Sequence, residues 1–386
     1  MNEKKVIKKE DWLSNFTLIG VPKINDYTYK INEKSEKSSW IYNSLNLGVD
    51  CGEKHGTVYC ELMGGYSEEN PSVIYAHGKK DDGSDDFASQ ITVDWDDRFN
   101  EEILESIGDL SFITIGLEKT DKGKTFYKKF LSAYDAIDYV KEHLAENMVV
   151  NVRGNLKYSM YQDKVQVRKN ITSIVLSSVD DVSKYTARFT QSILIDKSSA
   201  SLKNIDKSKS VMYIEAKVLD YLKEYNGHEI RGQYPFNKQF EFEMDFANEA
   251  QCKKIMEKVF KVKKGVTQIT FEGDLIEGGA VVTATLDDIP EEIKDLIELG
   301  IYTEEEALAR CSSNGNREQR MVLRKPMVRL VGDEKTPVLQ KFEEKYTEED
   351  LILDYLYEND NDEDEDNDDN STESSDMNDM DWLNRL

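Results

Sequence analysis

The sequence predicts a mainly β protein of the α+β class, with two small barrels in tandem followed by a disordered acidic tail. Three observations support this prediction. Segments of strand length with alternating apolar and polar residues recur along the chain. The order strand, helix, strand, strand occurs twice with matching residue types. From Glu358 to Leu386 the chain has thirteen Asp or Glu residues and one Arg, and so dense a like charge prevents this segment from folding.

Length and charge limit the possible functions. At 386 residues the chain exceeds one typical domain, which favours two folded units and a tail. The net charge is −26, of which the tail carries about −12, so residues 1–357 are acidic as well. This argues against a broad surface that wraps nucleic acid and requires any basic groove to be local. Because no apolar run spans a membrane and the start lacks a signal peptide, we expect a cytoplasmic protein, in the host cytoplasm if phage-encoded.

The first half contains the pattern of a small barrel. Two alternating segments, Val149–Ser159 and Asp163–Leu176, flank a turn and predict a closing hairpin. A helical pattern lies upstream at Ala133–Leu144. The aromatic-rich segment before it, Thr125–Leu131, is predicted to be the third strand.

The second half repeats this order with a strand, a helix and two closing strands at Gln239–Phe246, Asn248–Phe260, Thr267–Gly279 and Gln319–Val331. The glycine strands share the pattern apolar-x-apolar-x-Gly-x-Leu, which aligns Val150, Val152, Gly154 and Leu156 with Ile269, Phe271, Gly273 and Leu275. The last strands align through an apolar-Arg-Lys motif, which equates Val167 with Leu323 and Ile171 with Met327. Two such matches indicate an internal duplication.

The second half differs from the first by an insertion between its closing strands. Residues Asp287–Cys311 carry start and end signals of two helices and predict a helical hairpin. The predicted organisation is an N-terminal extension at residues 1–38, a first barrel at 39–178, a second barrel at 185–332 with the insertion at 287–311, a linker or helix at 333–357, and the acidic tail at 358–386.

Each predicted unit has five strands with a helix between the third and the fourth, which is the order of an OB-fold, a partly open barrel that binds oligonucleotides. The string NVRGNLKYSMYQDKVQVRKNITSIVL resembles the last two strands of bacterial and phage single-stranded DNA-binding (SSB) proteins. With its acidic tail, the chain resembles a phage-type SSB protein with two OB-folds in tandem, and the match covers Thr125–Leu176 and the tail. The resemblance implies binding of single-stranded DNA during replication, recombination or repair.

Binding single strands without reading their sequence requires cations along the phosphates and aromatic faces for the bases. Both residue types are interleaved along the predicted strands of each unit. About half of these aromatics are expected to fill the core. Tyr158 and Tyr161, beside a turn and flanked by charge, are the better candidates for stacking. The predicted nucleic-acid-binding residues are Lys124, Tyr127, Lys128, Lys129, Arg153, Lys157, Tyr158, Tyr161, Lys164, Arg168, Arg231, Tyr234, Phe236, Lys238, Arg324 and Lys325.

The tail ends on an apolar tip, MDWLNRL, whereas bacterial SSB proteins end on Pro-Phe. By resemblance, such a tail recruits partner proteins and competes with DNA for the basic groove. Trp382, Leu383 and Leu386 are the residues expected to fill a pocket on a partner. The alternative is a solubilising tail with a chance hydrophobic end.

Other chemistry has little support in the sequence. Cys51, His55, Cys60 and His77 could supply four metal ligands, but their spacing matches no zinc ribbon or finger, so we expect free thiols, no metal and no cofactor. Because the motifs of phosphate loops, metalloproteases and hydrolases do not occur, we expect a binding protein rather than an enzyme. Two alternatives stay open: an OB-fold accessory protein of replication or recombination, and a virion structural protein, each acting through protein contacts.

Overall fold

The computed structural model describes residues 9, 11–36, 38–69, 72–162, 164–179, 181–225, 228–278, 294, 297, 319–332 and 335–351. The acidic tail, with Trp382, Leu383 and Leu386, lies outside the described residues, as does the predicted insertion apart from Lys294 and Ile297. The described part is mainly β and contains closed five-stranded barrels, which confirms the predicted fold class. No helix within it is long and apolar enough to cross a membrane.

The first half forms an OB-fold. In chain order its elements are β1 Ser14–Lys23, β2 Tyr29–Lys34, β3 Trp40–Asp50, β4 Thr57–Ser67, β5 Val73–Lys79, β6 Asp85–Asp94, α1 Glu101–Ser106, β7 Ile113–Lys119, β8 Thr125–Phe130, α2 Ala133–His143, β9 Val150–Tyr161 and β10 Lys164–Leu176. The barrel closes because β1 pairs with β3 and β9, β3 with β4, β4 in parallel with β10, and β10 with β9. Helix α2 lies between its third and fourth strands, β4 and β9, as an OB-fold requires.

Local sequence explains these elements. Along β9, Val150 and Val152 are buried while Arg153 is exposed, so successive side chains alternate between the core and solvent. Helix α2 starts where Ser132 accepts a hydrogen bond from Tyr134 N, which satisfies one of the free amides of its first turn.

The second half forms another OB-fold. Its elements are β11 Thr186–Ile195, β12 Ala200–Asp206, β13 Val211–Tyr225, β14 His228–Glu243, α3 Glu249–Ile255, β15 Val266–Glu277, β16 Gln319–Pro326, β17 Val328–Val331, β18 Thr336–Leu339 and β19 Lys341–Tyr346. Here β11 pairs with β13 and β15, β13 with β14, β14 in parallel with β16, and β16 with β15. The pairing order is therefore the same in both barrels.

The glycine strands β9 and β15 are equivalent, as predicted. Gly154 lies opposite Phe16 on β1, and Gly273 lies opposite Phe189 on β11. A Cβ atom would lie 2.7 Å from the ring of Phe16 at the first position and 2.4 Å from the ring of Phe189 at the second. Glycine is required at both positions because a buried aromatic ring and a backbone carbonyl of the neighbouring strand, Asn170 O or Val322 O, fill the space of a side chain.

The closing strands β10 and β16 are equivalent in a different register from the predicted one. Ile171 lies opposite Gly154, Leu323 lies opposite Gly273, and each of these pairs adjoins a bulge. Ile171 is therefore equivalent to Leu323 and not to Met327, so the predicted alignment was wrong by four residues. The apolar-Arg-Lys motif matches residue types, whereas the register is set by the burial and pairing of the neighbouring strand.

The two barrels share one sheet through their first strands. β1 and β11 pair antiparallel, with Phe16 directly opposite its equivalent Phe189. An approximate two-fold axis therefore passes between these two residues. A buried ion pair crosses the same junction, because Lys169 Nζ on β10 lies 2.5 Å from Glu277 Oε1 on β15. The barrels thus pack as one unit within residues 1–351.

Three predicted segments take other places in the sheet. Residues 1–38, predicted as an extension, contain β1, the first strand of the first barrel. The third strand is β4, whereas the segment Thr125–Leu131 contains β8, the outer strand of a hairpin with β7. Residues 333–357, predicted as a linker or helix, contain β19, which pairs with β15. A strand's place depends on its partners, and the pattern of one segment does not specify them.

Residues 68–132 form an addition between the third strand and the helix of the first barrel. It consists of the hairpin β5–β6, helix α1 and the hairpin β7–β8. β7 pairs in parallel with β10 and so extends the barrel sheet. The addition has a small core of its own, formed by Ala76, Val93, Ile107, Phe112 and Leu131.

Candidate nucleic-acid interface

A groove lies between the two barrels, where the β9–β10 hairpin of the first faces β14 of the second. Its volume is about 350 Å³, and its lining residues are Met160, Lys164, Val165, Tyr234, Asn237, Lys238 and Gln239. Three predicted nucleic-acid-binding residues, Lys164, Tyr234 and Lys238, meet here from both barrels. The hairpin after the fourth strand and the face of the third strand are the parts of an OB-fold that bind oligonucleotides.

Lys238 owes its position to strand alternation. It lies on β14 opposite Ala216, on the same face as Phe236 and Phe240, which are both fully buried. Its side chain is therefore half-buried. Burial lowers the pKa of the Lys238 ammonium, and the nearby ammonium of Lys169 lowers it further. Among the described residues, no carboxylate pairs with Lys238.

Lys164 begins β10 on the other wall of the groove. It is exposed, and within the described ranges its side chain has no ion pair. Two ammonium groups from different barrels thus line one groove without a neutralising carboxylate in the part of the chain that the structure describes. The arrangement suits an anionic ligand, because an uncompensated and partly desolvated charge is costly until a counter-charge binds.

Tyr234 supplies an aromatic surface in the groove. Its ring is half-buried and meets the ring of Phe236 edge-on, with centroids 4.9 Å apart. The ring of Tyr225 lies 5.9 Å away. Tyr161 is half-buried at the end of β9, next to the hairpin turn. An aromatic ring held in this way can stack a base with little loss of side-chain entropy.

The β7–β8 hairpin carries a second group of predicted residues, Lys124, Tyr127, Lys128 and Lys129, all of them exposed. Tyr127 is 59% exposed, and its ring covers Gly116 on the neighbouring strand. Lys128 Nζ lies 4.7 Å from the ring centroid of Tyr139, and Lys129 Nζ lies 3.0 Å from Asp109 Oδ1. The hairpin therefore offers an open aromatic ring with cations beside it.

Two predicted stacking residues lie in the core instead. Tyr158 is only 3% exposed, and its hydroxyl donates a hydrogen bond to Gln191 Oε1 at 3.0 Å. Phe236 is fully buried. The prediction was wrong for Tyr158 because its charged neighbour Lys157 points to the opposite face of the strand, and for Phe236 because its ring packs in the core of the second barrel. Neither ring can stack on a base.

Most of the remaining predicted cations are neutralised by carboxylates. Lys157 lies 3.6 Å from Asp220, Arg168 lies 3.8 Å from Glu61, Arg324 Nε lies 2.7 Å from Asp274, Lys325 lies 2.9 Å from Glu272, and Arg231 pairs with Glu229. Arg324 also pairs with Glu243, and Arg153 is exposed with its Nε 3.3 Å from Asn151 Oδ1. A phosphate would have to displace a carboxylate to reach most of these residues.

The pair Arg168–Glu61 has a structural equivalent in the second barrel. Glu61 pairs in register with Asn170 on β10, and Glu241 pairs in the same way with Val322 on β16. Arg168 lies two residues before Asn170, and Arg320 lies two residues before Val322. Arg320 Nε is 2.8 Å from Glu241 Oε2. The ion pair between the third and fifth strands therefore belongs to the repeated fold.

The residues considered as metal ligands make other contacts. Burial raises the pKa of the thiols of Cys51 and Cys60, whose Sγ atoms donate to Val49 O and Leu47 O. His55 Nδ1 lies 2.9 Å from Leu275 O across the barrel junction. His77 lies between Asp85 and Ser111 in the addition. Across the described residues, no group of three or more potential ligands is placed to hold a metal ion.

Some groove residues were not among the predicted ones. Met160 and Val165 lie directly opposite each other beside the β9–β10 turn. Asn237 and Gln239 flank Lys238 on β14. The register of the β9–β10 hairpin could have indicated Met160 and Val165. Asn237 and Gln239 line the groove only because the barrels face each other.

The closed order of strands in both halves defines a protein with two OB-folds fused about an approximate two-fold axis. The family model YorF matches residues 79–299, which is more than half of the chain, and the chain belongs to this family. No curated protein matches it. A solved structure of a deletion mutant of the single-stranded DNA-binding protein from Thermus aquaticus is similar, with 8% identity and a TM-score of 0.32 over 83% of this chain and 96% of that chain. At this TM-score the similarity carries no weight, and the OB-fold assignment rests on strand order.

Proposed function

We propose that this protein binds single-stranded DNA in the groove between its barrels, without strong sequence preference. One observation carries the proposal: Lys164 and Lys238 converge in this groove with no carboxylate partner among the described residues, although the chain has a net charge of −26. A local uncompensated positive site is what an acidic protein needs to hold a phosphate backbone. Tyr234, which lines the same groove, supplies a surface for stacking.

The polar groups of the groove favour tolerance of sequence. Asn237 Oδ1 already accepts a hydrogen bond from Lys217 Nζ at 2.9 Å. Gln239 Nε2 donates to Glu215 Oε1 at 2.6 Å. Because these amides are engaged with neighbours on their own sheet, they are poorly placed to read base edges, and stacking and charge remain as the main interactions.

The biological setting that we propose is DNA replication, recombination or repair, in the cytoplasm of a cell or of a phage-infected host. The acidic tail would recruit partner proteins through Trp382, Leu383 and Leu386. Support for this part comes from the sequence alone, from an acidic segment that ends on an apolar tip. We propose a binding protein without a cofactor rather than an enzyme.

A second candidate function is an accessory or virion structural protein that acts through protein contacts. It is favoured by large apolar side chains exposed on the addition at residues 68–132, which include Tyr75, Phe87, Phe99 and Leu110. Several exposed apolar side chains within one region of the chain suit a protein partner.

Titration of intrinsic tyrosine and tryptophan fluorescence with oligo-dT tests the proposal. Each of Lys164→Met and Lys238→Met should weaken binding about tenfold or more, since a charged hydrogen bond is worth about 1.5–3 kcal/mol. The matched control is Lys253→Met, which removes an exposed lysine of α3 that pairs with Glu249. Equal affinities for the groove variants and the control would favour the second candidate.

A further inference from the structure

Lys238 has the surroundings of a reactive amine. Its side chain is half-buried between the fully buried rings of Phe236 and Phe240, and it opens into the groove. A lysine usually keeps its ammonium group in water. Here the strand face and the packed barrels hold it partly out of solvent.

The neighbouring charge that acts on Lys238 has the same sign as its own. Lys169 on β10 acts on it electrostatically, and the charge of Lys169 is itself committed to the buried Glu277 at 2.5 Å. Lys164, also on β10, lines the same groove, as does Tyr234 on β14. Carboxylates nearby on the sheet, such as Glu215, bond to other residues.

Desolvation and a neighbouring cation both favour the neutral amine, and both lower the pKa of Lys238. These are the two physical means by which proteins activate a lysine to attack a carbonyl. A lower pKa raises the fraction of the neutral amine, which is a nucleophile, whereas the ammonium form, which binds phosphate, is not.

We propose that Lys238 captures the aldehyde of abasic nucleotides in single-stranded DNA as an imine. The proposal rests on the proposed function, because Lys164 and the groove must first hold the phosphate backbone. An abasic deoxyribose in its open form carries an aldehyde at C1′ and lacks the base that would fill the groove, whose volume is about 350 Å³.

The reaction balances without a further reactant. The lone pair of Lys238 Nζ attacks C1′, and one of the two amine protons moves from Nζ to the aldehyde oxygen to give a carbinolamine. Loss of that hydroxyl with a proton from Nζ releases one water molecule and leaves a C=N bond. The product holds the damaged strand covalently and reversibly, and hydrolysis restores the amine and the aldehyde.

The test uses the full chain with two oligo-dT strands that differ at one central position. One carries an aldehydic abasic site, and the other carries a tetrahydrofuran residue, which has no aldehyde. Borohydride reduces any imine to a stable amine, and the adduct is measured on a denaturing gel and mapped by mass spectrometry. At saturating DNA, the wild-type protein and the control Lys253→Met should both form the adduct, and Lys238→Met should lose it at least tenfold.

Several outcomes would overturn the inference. An adduct of wild-type yield in Lys238→Met, or one spread over exposed lysines, would show that Lys238 is not the nucleophile. Tight binding of the tetrahydrofuran strand with no adduct on the abasic strand would refute the capture and leave the proposed function intact. Failure of both strands to bind would refute the proposed function, and the capture with it.

Discussion

Replacing Lys169 with methionine tests whether a buried ion pair locks the two barrels together. The Lys169 ammonium lies 2.5 Å from Glu277 Oε1, and the two side chains are only 6% and 5% exposed. Glu277 Oε2 accepts a hydrogen bond from Tyr59 N at 3.2 Å. Lys169→Met leaves the Glu277 carboxylate buried with only the uncharged amide of Tyr59 as a named donor. Removing one partner of a buried pair in this way costs about 3–5 kcal/mol.

Urea unfolding followed by circular dichroism measures this loss. The double variant Lys169→Met/Glu277→Met should recover most of it, since an apolar pair of similar volume replaces a buried ion pair at little cost. Lys325→Met is the matched control, because it breaks an exposed pair with Glu272 and should cost at most about 1 kcal/mol. A single variant as stable as this control, or a double variant no more stable than the single one, would refute the reasoning.

Three further predictions concern the candidate site and the tail. Tyr158→Phe removes a buried hydroxyl, while Gln191 Oε1 keeps its hydrogen bond from Ser14 Oγ, so urea unfolding should show a loss of about 0.5–1.5 kcal/mol. Oligo-dT affinity should stay unchanged, and weaker binding at unchanged stability would contradict the core role of Tyr158. Tyr127→Ala removes an exposed ring from the β7–β8 hairpin and should weaken oligo-dT binding by about 1–3 kcal/mol in the same fluorescence titration. An unchanged affinity would exclude the hairpin from the site. Truncation after Tyr357 removes thirteen acidic side chains and should raise oligo-dT affinity. The gain should be largest at low salt, where screening is weakest. An equal gain at high salt would rule out an electrostatic cause.

The tandem barrels could be predicted from the sequence because both halves of the chain need a glycine beside a buried aromatic ring. Gly154 and Gly273 each leave room for a buried ring, and the apolar residues around them alternate with the period of a strand. The strand β1 was missed because it lies far in sequence from its partner β9. The alignment of β10 with β16 was wrong because each strand contains an Arg-Lys pair. These pairs match in residue type, but they occupy different positions relative to the partner strands β9 and β15.

The residue types of the candidate site could be predicted from the sequence, but the ion pairs that neutralise its cations could not. Arg324 looked like a free cation until the fold placed Asp274 beside it, and Arg168 meets Glu61 on a strand more than a hundred residues earlier. Lys164 and Lys238 were predicted separately, one in each barrel. They line one groove because β1 and β11 pair and bring the barrels face to face, which no local pattern can show.

The salt dependence of oligo-dT binding tests the central claim most directly. Each phosphate that a cation neutralises on a single strand contributes about −0.7 to the slope of log affinity against log salt concentration. If Lys164 and Lys238 each hold one phosphate, the double variant Lys164→Met/Lys238→Met should have a slope shallower than that of the wild type by about 1.4. The same slope in the wild-type protein and in the double variant would show that the groove between the barrels does not hold the DNA backbone.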